Sequence, residues 1–229
     1  MTAPWEMVIF SLLGLLGVGL QTTISLLRKP TWVSEDPALD ANWKRLSIYS
    51  GVAGVVFGLG ALALSLANGY HGQAITFAAV GGYVFFQSLF TDLRVRYVDR
   101  WIMRIGNVFA AAAGALIIST YGGETDWVLY VVFTVAAVAI GFLPGIGDSD
   151  GRAFTFLVLA AYPTTAIAGI QWAALLIVVS ISVYYIGYSI WKKSFSLKGI
   201  LSKISFPMVP IVILPVLVVV LFGNQLPGF

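Results

Sequence analysis

The chain has no cysteine, a single histidine and very little charge. Without cysteine there is no disulfide, no zinc ribbon and no thiol chemistry. The lone histidine, His71, reads as a solvated residue of a short loop. A metal centre would have to rest on carboxylates alone. The run Asp148-Ser149-Asp150-Gly151 looks like the opening of a calcium loop. The sixth and twelfth places of such a loop need Gly and Glu, and here they hold Ala153 and Leu159. Calcium is therefore rejected, and neither a metal nor a cofactor is expected.

Apolar sequence takes the place of charge. Hydrophobic residues make up 59% of the chain and charged ones 10%, with a mean hydropathy of +0.92, well outside the range of a soluble domain. Apolar runs of roughly 17 to 22 residues recur along its length, each enough for a helix to cross a hydrocarbon core of about 30 Å. Eight are expected, at about 8–27, 46–67, 73–91, 104–120, 126–143, 153–168, 172–190 and 207–222. The sixth and seventh form one run from Ala153 to Trp191, about twice too long for a single crossing. A break is expected between Pro163 and Gln171. The fold class is thus all-α, a polytopic membrane bundle with no room for a soluble domain.

Charge placement orients the bundle. Alternating sides along eight spans puts all 13 Lys and Arg on one face. They are Arg28, Lys29, Lys44 and Arg45, then Arg94, Arg96, Arg100 and Arg104, then Arg152, then Lys192, Lys193, Lys198 and Lys203. The positive-inside rule makes that face cytoplasmic and puts both termini outside. No cleavable signal is expected, because Arg28 and Lys29 follow the first apolar run and no basic residue precedes it. The pI near 9.2 reflects loops beside anionic lipid. Basic residues split among four loops do not make a nucleic-acid surface. The 24 glycines fall largely within the spans, where small residues let helix backbones approach closely.

Two acidic residues stand out. Ionisable groups at the edge of a membrane suggest function by default. Asp92 ends the third span. Asp148 closes Gly145-Ile146-Gly147-Asp148 at the start of the sixth, two spans later. Topology alone gives both the same side and depth, the arrangement an aspartyl dyad needs. Two carboxyls a few ångströms apart share a proton, so one form activates water while the other protonates the carbonyl or leaving amine. Gly145 and Gly147 would allow a tight turn and leave room for a peptide beside Asp148. Each half alone is weak. An Asp between arginines is often only a solvated charge. Gly-x-Gly-Asp is often a turn ending in a helix cap. Asp150 competes with Asp148 for that cap, and the structural role is assigned to Asp150.

The motif Asp92-Leu93-Arg94-Val95-Arg96-Tyr97-Val98-Asp99 resembles the Asp-x-Arg-x-Arg-x-Ile stretch of the GxGD membrane aspartyl proteases, specifically the prepilin and preflagellin (archaellin) peptidases. The second family motif, Gly-x-Gly-Asp after two further helices, is matched by Gly145 to Asp148. Where bacterial members carry Pro-Asn this chain has Asp99-Arg100, a departure toward the archaellin-type branch. The family's Lys after the second Asp is also missing, with Asp150 and Arg152 in that region. The last span opens Ile204-Ser205-Phe206-Pro207-Met208-Val209-Pro210, loosely similar to the family's Pro-Phe-x-Pro entry. The resemblance covers about residues 75 to 222, a six-helix peptidase core. It leaves out residues 1–70, two additional helices with a cytoplasmic loop at 28–45.

The resemblance implies an endopeptidase that removes a short basic leader from type IV pilin-like or archaellin precursors at the cytoplasmic face of the cell membrane. Its catalytic pair would be Asp92 and Asp148, with Asp99, Asp150 and Pro207 as candidate substrate contacts. With no cysteine and no added cytoplasmic domain, the methyltransferase activity of bifunctional members is not expected. Glu35, Asp36 and Asp40 offer a grip for a basic leader, although a solvated loop is the plainer reading. The partners expected are precursor proteins and the lipid bilayer, not nucleic acid. Oligomeric state is not legible. Two rivals stand beside this reading. One is a non-catalytic secretion or assembly factor of the same fold. The other is a small ion-coupled transporter, against which the aspartates lie at the membrane edge rather than the midplane.

Overall fold

The computed structural model describes residues 4–68, 72–143, 147–192 and 207–225. His71, Gly145, the basic residues Lys193, Lys198 and Lys203, and the two chain ends lie outside the described residues. Every regular element described is helical: α1 Pro4–Leu27, a short 3-10 turn Thr31–Glu35, α2 Pro37–Asn68, α3 Ala74–Val95, α4 Arg100–Tyr121, α5 Glu124–Ile140, α6 Asp148–Lys192 and α7 Met208–Phe222, with a last 3-10 turn Gly223–Gln225. Five of them, α1, α2, α3, α4 and α6, are long and apolar enough to cross a membrane.

α3 is the axis of the bundle. Most of its buried residues are apolar or small, with Gln87 and Asp92 among the exceptions, and it packs on α1, α2, α4 and α7. α7 is nearly as buried between Val209 and Val220, with Leu214 turned outward. Outer helices instead expose apolar side chains, including Leu16 on α1, Val56 on α2, Val128 on α5 and Val183 on α6. That inversion suits a protein solvated by lipid rather than water.

The two N-terminal helices are not an appendage. Gln21 of α1 donates from Nε2 to the Val80 and Ile102 carbonyls at 3.4 and 3.2 Å, tying α1 to α3 and α4. Trp43 Nε1 donates to the Ser25 carbonyl at 2.8 Å, Ser25 and Ser47 hydroxyls meet at 2.6 Å, and Gln87 donates to Ser25 at 3.1 Å. These bonds join α1, α2 and α3 through groups that would otherwise be stranded in an apolar core.

α2 starts at Pro37, well before the apolar run expected from 46. Asp36 explains the early start, since its Oδ1 accepts from Ala38 and Leu39 N–H at 2.8 and 3.2 Å, and Pro37 stands at the first helical position. Leu39, Trp43 and Leu46 then pack with Val33 in a small cluster of their own. Hydropathy misses that stretch because Lys44 and Arg45 interrupt it.

α6 carries 45 residues in one run but is broken at Ala166, at φ 53° and ψ −146°. The break falls inside the 163–171 window expected from length. Pro163 precedes it, and the Thr164 and Thr165 hydroxyls donate to the Ala160 and Ala161 carbonyls in the turn before the break. Gly169 lets the chain pass, because a Cβ there would lie 1.6 Å from Thr165 Oγ1.

Candidate functional site

Asp92 lies one turn from the end of α3, at the end of the bundle that also holds Arg94, Arg96, Arg100, Arg104 and Arg152. The helix closes at Arg96, which takes the left-handed conformation at φ 59°. Its guanidinium returns to donate to the Asp92 carbonyl at 3.1 Å, satisfying a carbonyl that the helix end would leave unpaired. Arg94 reaches the other way, to Asp36 at 3.4 Å. The two arginines of the Asp-x-Arg-x-Arg motif thus have separate tasks: one locks the turn below Asp92, the other ties α3 to the start of α2.

The Asp92 side chain is only 6% exposed. It receives the backbone N–H of Val209, in the first turn of α7. Pro207 precedes that turn and Pro210 lies within it, so Asp92 faces a helix start with few N–H groups to offer. A helix N-terminus favours an anion there. One carboxyl oxygen, Oδ2, is buried with no hydrogen-bond partner. A buried carboxyl oxygen left unpaired is uncommon, and Asp92 shares the condition with Asp99 Oδ2 and Glu6 Oε2.

The first turn of α6 supplies two more carboxylates, and they face different ways. Residues two apart on a helix point about 200° apart around its axis. Asp148 is turned outward, its side chain 59% exposed, and is gripped by Arg152 one turn on, Nη2 to Oδ1 at 2.7 Å and Nε to Oδ2 at 3.2 Å. Asp150 is half-buried and lies on the stripe continued by Ala153, Leu157 and Ala160, all buried. It accepts the Gly147 N–H from the third position of the helix, not from the N-cap place the sequence assigned to it, because α6 already begins at Asp148. It is also the carboxylate whose charge reaches Asp92. The other groups acting on the Asp92 carboxyl are the Val209 N–H and Arg96, not Asp148.

Gly147 is not in a left-handed conformation. It serves as the residue before α6, and a Cβ there would come within 3.1 Å of Asp150 Oδ2. The sharper requirement is at Gly151, where a Cβ would lie 2.3 Å from Gly141 Cα. The ends of α5 and α6 cross at this contact, which sets how far the acidic turn reaches into the bundle.

Asp148 lines a cleft of about 420 Å³ together with Asp99, Ser149, Arg28, Trp32, Tyr97 and Trp101. Asp99 is buried at the start of α4 and accepts the Trp101 N–H at 2.9 Å. Burial pushes its carboxyl above the ordinary value, and the Trp101 N–H and the charges of Arg28 and Arg100 oppose the shift. Arg28 and Arg104 both stack over Trp101, at 5.0 and 4.7 Å. Pro207 is buried at the head of α7 rather than lining this cleft.

The acidic loop ahead of α2 is structurally committed. Asp40 pairs with Lys29 and accepts from Ser34 at 3.1 Å. Desolvation would raise the Asp36 carboxyl, but the Leu39 and Ala38 N–H groups and Arg94 outweigh it and hold the group below its ordinary value. Among the described residues no cluster of three or more potential metal ligands occurs. No family model, curated protein or solved structure matches the chain.

Sequence reasoning missed two participants, Val209 and the facing of Asp150. A usable signal existed for the second. The spacing 150, 153, 157, 160 continues a small and apolar stripe at helical period, whereas 148 and 152 carry opposite charges at i and i+4 and read as a solvated pair.

Proposed function

We propose that this chain is a membrane-embedded aspartyl endopeptidase that removes the short basic leader from type IV pilin-like or archaellin precursors. In this reading it has eight spans, counting the halves of α6 separately, with both termini outside and the basic end of the bundle facing the cytoplasm. The observation that carries the reading is Asp92: a buried carboxyl with an unpartnered oxygen, at the basic end of the central helix, within electrostatic reach of Asp150 in the first turn of α6.

The chemistry follows from two carboxyls holding one proton between them. The ionised one accepts a proton from water as the water oxygen bonds to the scissile carbonyl carbon. Its partner gives its proton to the carbonyl oxygen. Collapse of the tetrahedral centre breaks the C–N bond, a proton passes to the leaving amine, and the pair is again left with one proton. The α7 N-terminus steadies negative charge on Asp92 through the cycle. The substrate helix has to open at the cut, since a hydrogen-bonded helical carbonyl is shielded from water.

The test is direct. Purified protein in lipid vesicles should shorten a pilin-like precursor by its leader, seen as a mobility shift, and Asp92→Asn should not. Wild-type protein that leaves a panel of such precursors intact would favour the non-catalytic assembly role.

A further inference from the structure

We infer that the carboxylate paired with Asp92 is Asp150, and that Asp148 belongs instead to the wall of the outer cleft. The inference rests on the peptidase reading for its chemistry but on geometry for the pairing.

Three observations carry it. The first is the turn of α6: Asp148 and Asp150 point to opposite sides, and Asp150 is half-buried, in line with Ala153 and Leu157, where Asp148 is exposed. The second is occupancy. Both oxygens of Asp148 are taken by the Arg152 guanidinium, in a two-point contact that satisfies the carboxylate. A carboxylate so held is poorly placed to take a proton from water. The third is the vacancy opposite: Asp92 is more than nine-tenths buried, its Oδ2 has no partner, and Asp150 is the carboxylate that acts on it. Asp92 receives an N–H from α7 and Asp150 one from Gly147. Each carboxyl therefore has a backbone donor to fix its orientation and free acceptor capacity for water.

The absence of cysteine makes the pairing measurable without any assay of activity. In the full chain, Asp92→Cys is combined with either Asp150→Cys or Asp148→Cys, and each is treated with a short-spacer bifunctional thiol reagent. Intact mass should show one bridging reagent per chain for the 92–150 pair, and two separate adducts for the 92–148 pair. Single-turnover cleavage is then compared. Asp150→Asn can still accept the Gly147 N–H, so the turn is kept. It should lose about 100-fold or more in rate, whereas Asp148→Asn should stay within about fivefold of wild type.

Bridging of 92 to 148 instead of 150, or a rate loss larger for Asp148→Asn than for Asp150→Asn, overturns the assignment. Bridging of 92 to 150 in the double-cysteine variant, together with a wild-type protein that cleaves no precursor, upholds the pairing and sinks the peptidase reading.

Discussion

The inner and outer sides of a single helical turn differ more in this protein than its two ends do. On the inner side of the start of α6, Asp150 is half-buried, its turn runs on into buried apolar residues, and its charge bears on Asp92. On the outer side, Asp148 meets Arg152 beside a cleft lined by arginines and aromatic rings. The same residue type, two positions apart, is in one case a half-buried carboxylate near the buried Asp92 charge and in the other a solvated ion pair. A solvated pair of that kind contributes little, about 0.3–0.5 kcal/mol at helical i,i+4 spacing. A buried carboxylate that lacks a full set of partners is retained against its desolvation cost, and that is where function is to be sought.

The largest effects should come from the inner side. Asp92→Asn and Asp150→Asn are each expected to lower precursor cleavage by about 100- to 10,000-fold, the range for removing a general acid or base. Membrane insertion and expression should be unchanged, since the helices concerned keep their apolar faces. Quantitative product formation under single-turnover conditions checks this. Wild-type turnover in either variant removes that residue from the pair.

Next in size is a change that moves the whole turn without touching its charges. Gly151→Ala puts a Cβ where Gly141 Cα already sits, so α5 and α6 must separate. Overpacking of this kind costs about 1–3 kcal/mol. A lower melting temperature in detergent is expected, together with a fall in cleavage rate, because the inner carboxylate is withdrawn from Asp92. Unchanged melting and unchanged rate would mean that the α5–α6 contact does not set the site.

How much of this could be read from the sequence follows from what each inference depends on. The spans came from hydropathy, which senses lipid-facing surface directly, and the five long apolar helices fall where those runs lie. The break of the longest run came from length, and Ala166 falls inside the expected window. The start of α2 was hidden, because Trp43 and its neighbours pack on one side while Lys44 and Arg45 lower the average. The choice between Asp148 and Asp150 was hidden for a different reason. A Gly-x-Gly-Asp motif specifies a turn, but which of two nearby carboxylates looks inward depends on where the helix begins and on the crossing of α5 and α6. The arginines after Asp92 were legible as a pattern, and their separate partners, Asp36 and the Asp92 carbonyl, required the fold.

On the outer side the expected changes are smaller. Arg152→Gln frees Asp148 but leaves the inner pair in place, and the rate should change by no more than about fivefold, in line with the modest worth of an exposed pair. A loss as severe as that of Asp150→Asn would move the working carboxylate to the outer side. The smallest effect concerns Asp99. Burial raises its carboxyl above 3.8, so the neutral form is favoured on folding. The associated stability is present at low pH and is lost as pH rises through the raised value. Asp99→Asn keeps a good helix cap and removes the titration. Its melting temperature should therefore fall less than that of wild type between about pH 4 and pH 7. Parallel pH profiles for the two proteins would show that burial is not what governs Asp99.

The most direct measurement is a double-mutant cycle on residual single-turnover cleavage. Residues that act as one unit are strongly non-additive. Adding Asp150→Asn to Asp92→Asn should therefore slow cleavage no further than Asp92→Asn alone, while adding it to Asp148→Asn should multiply the two separate losses. Multiplicative losses for the Asp92 and Asp150 pair, with non-additivity for Asp92 and Asp148, would contradict the inner pairing.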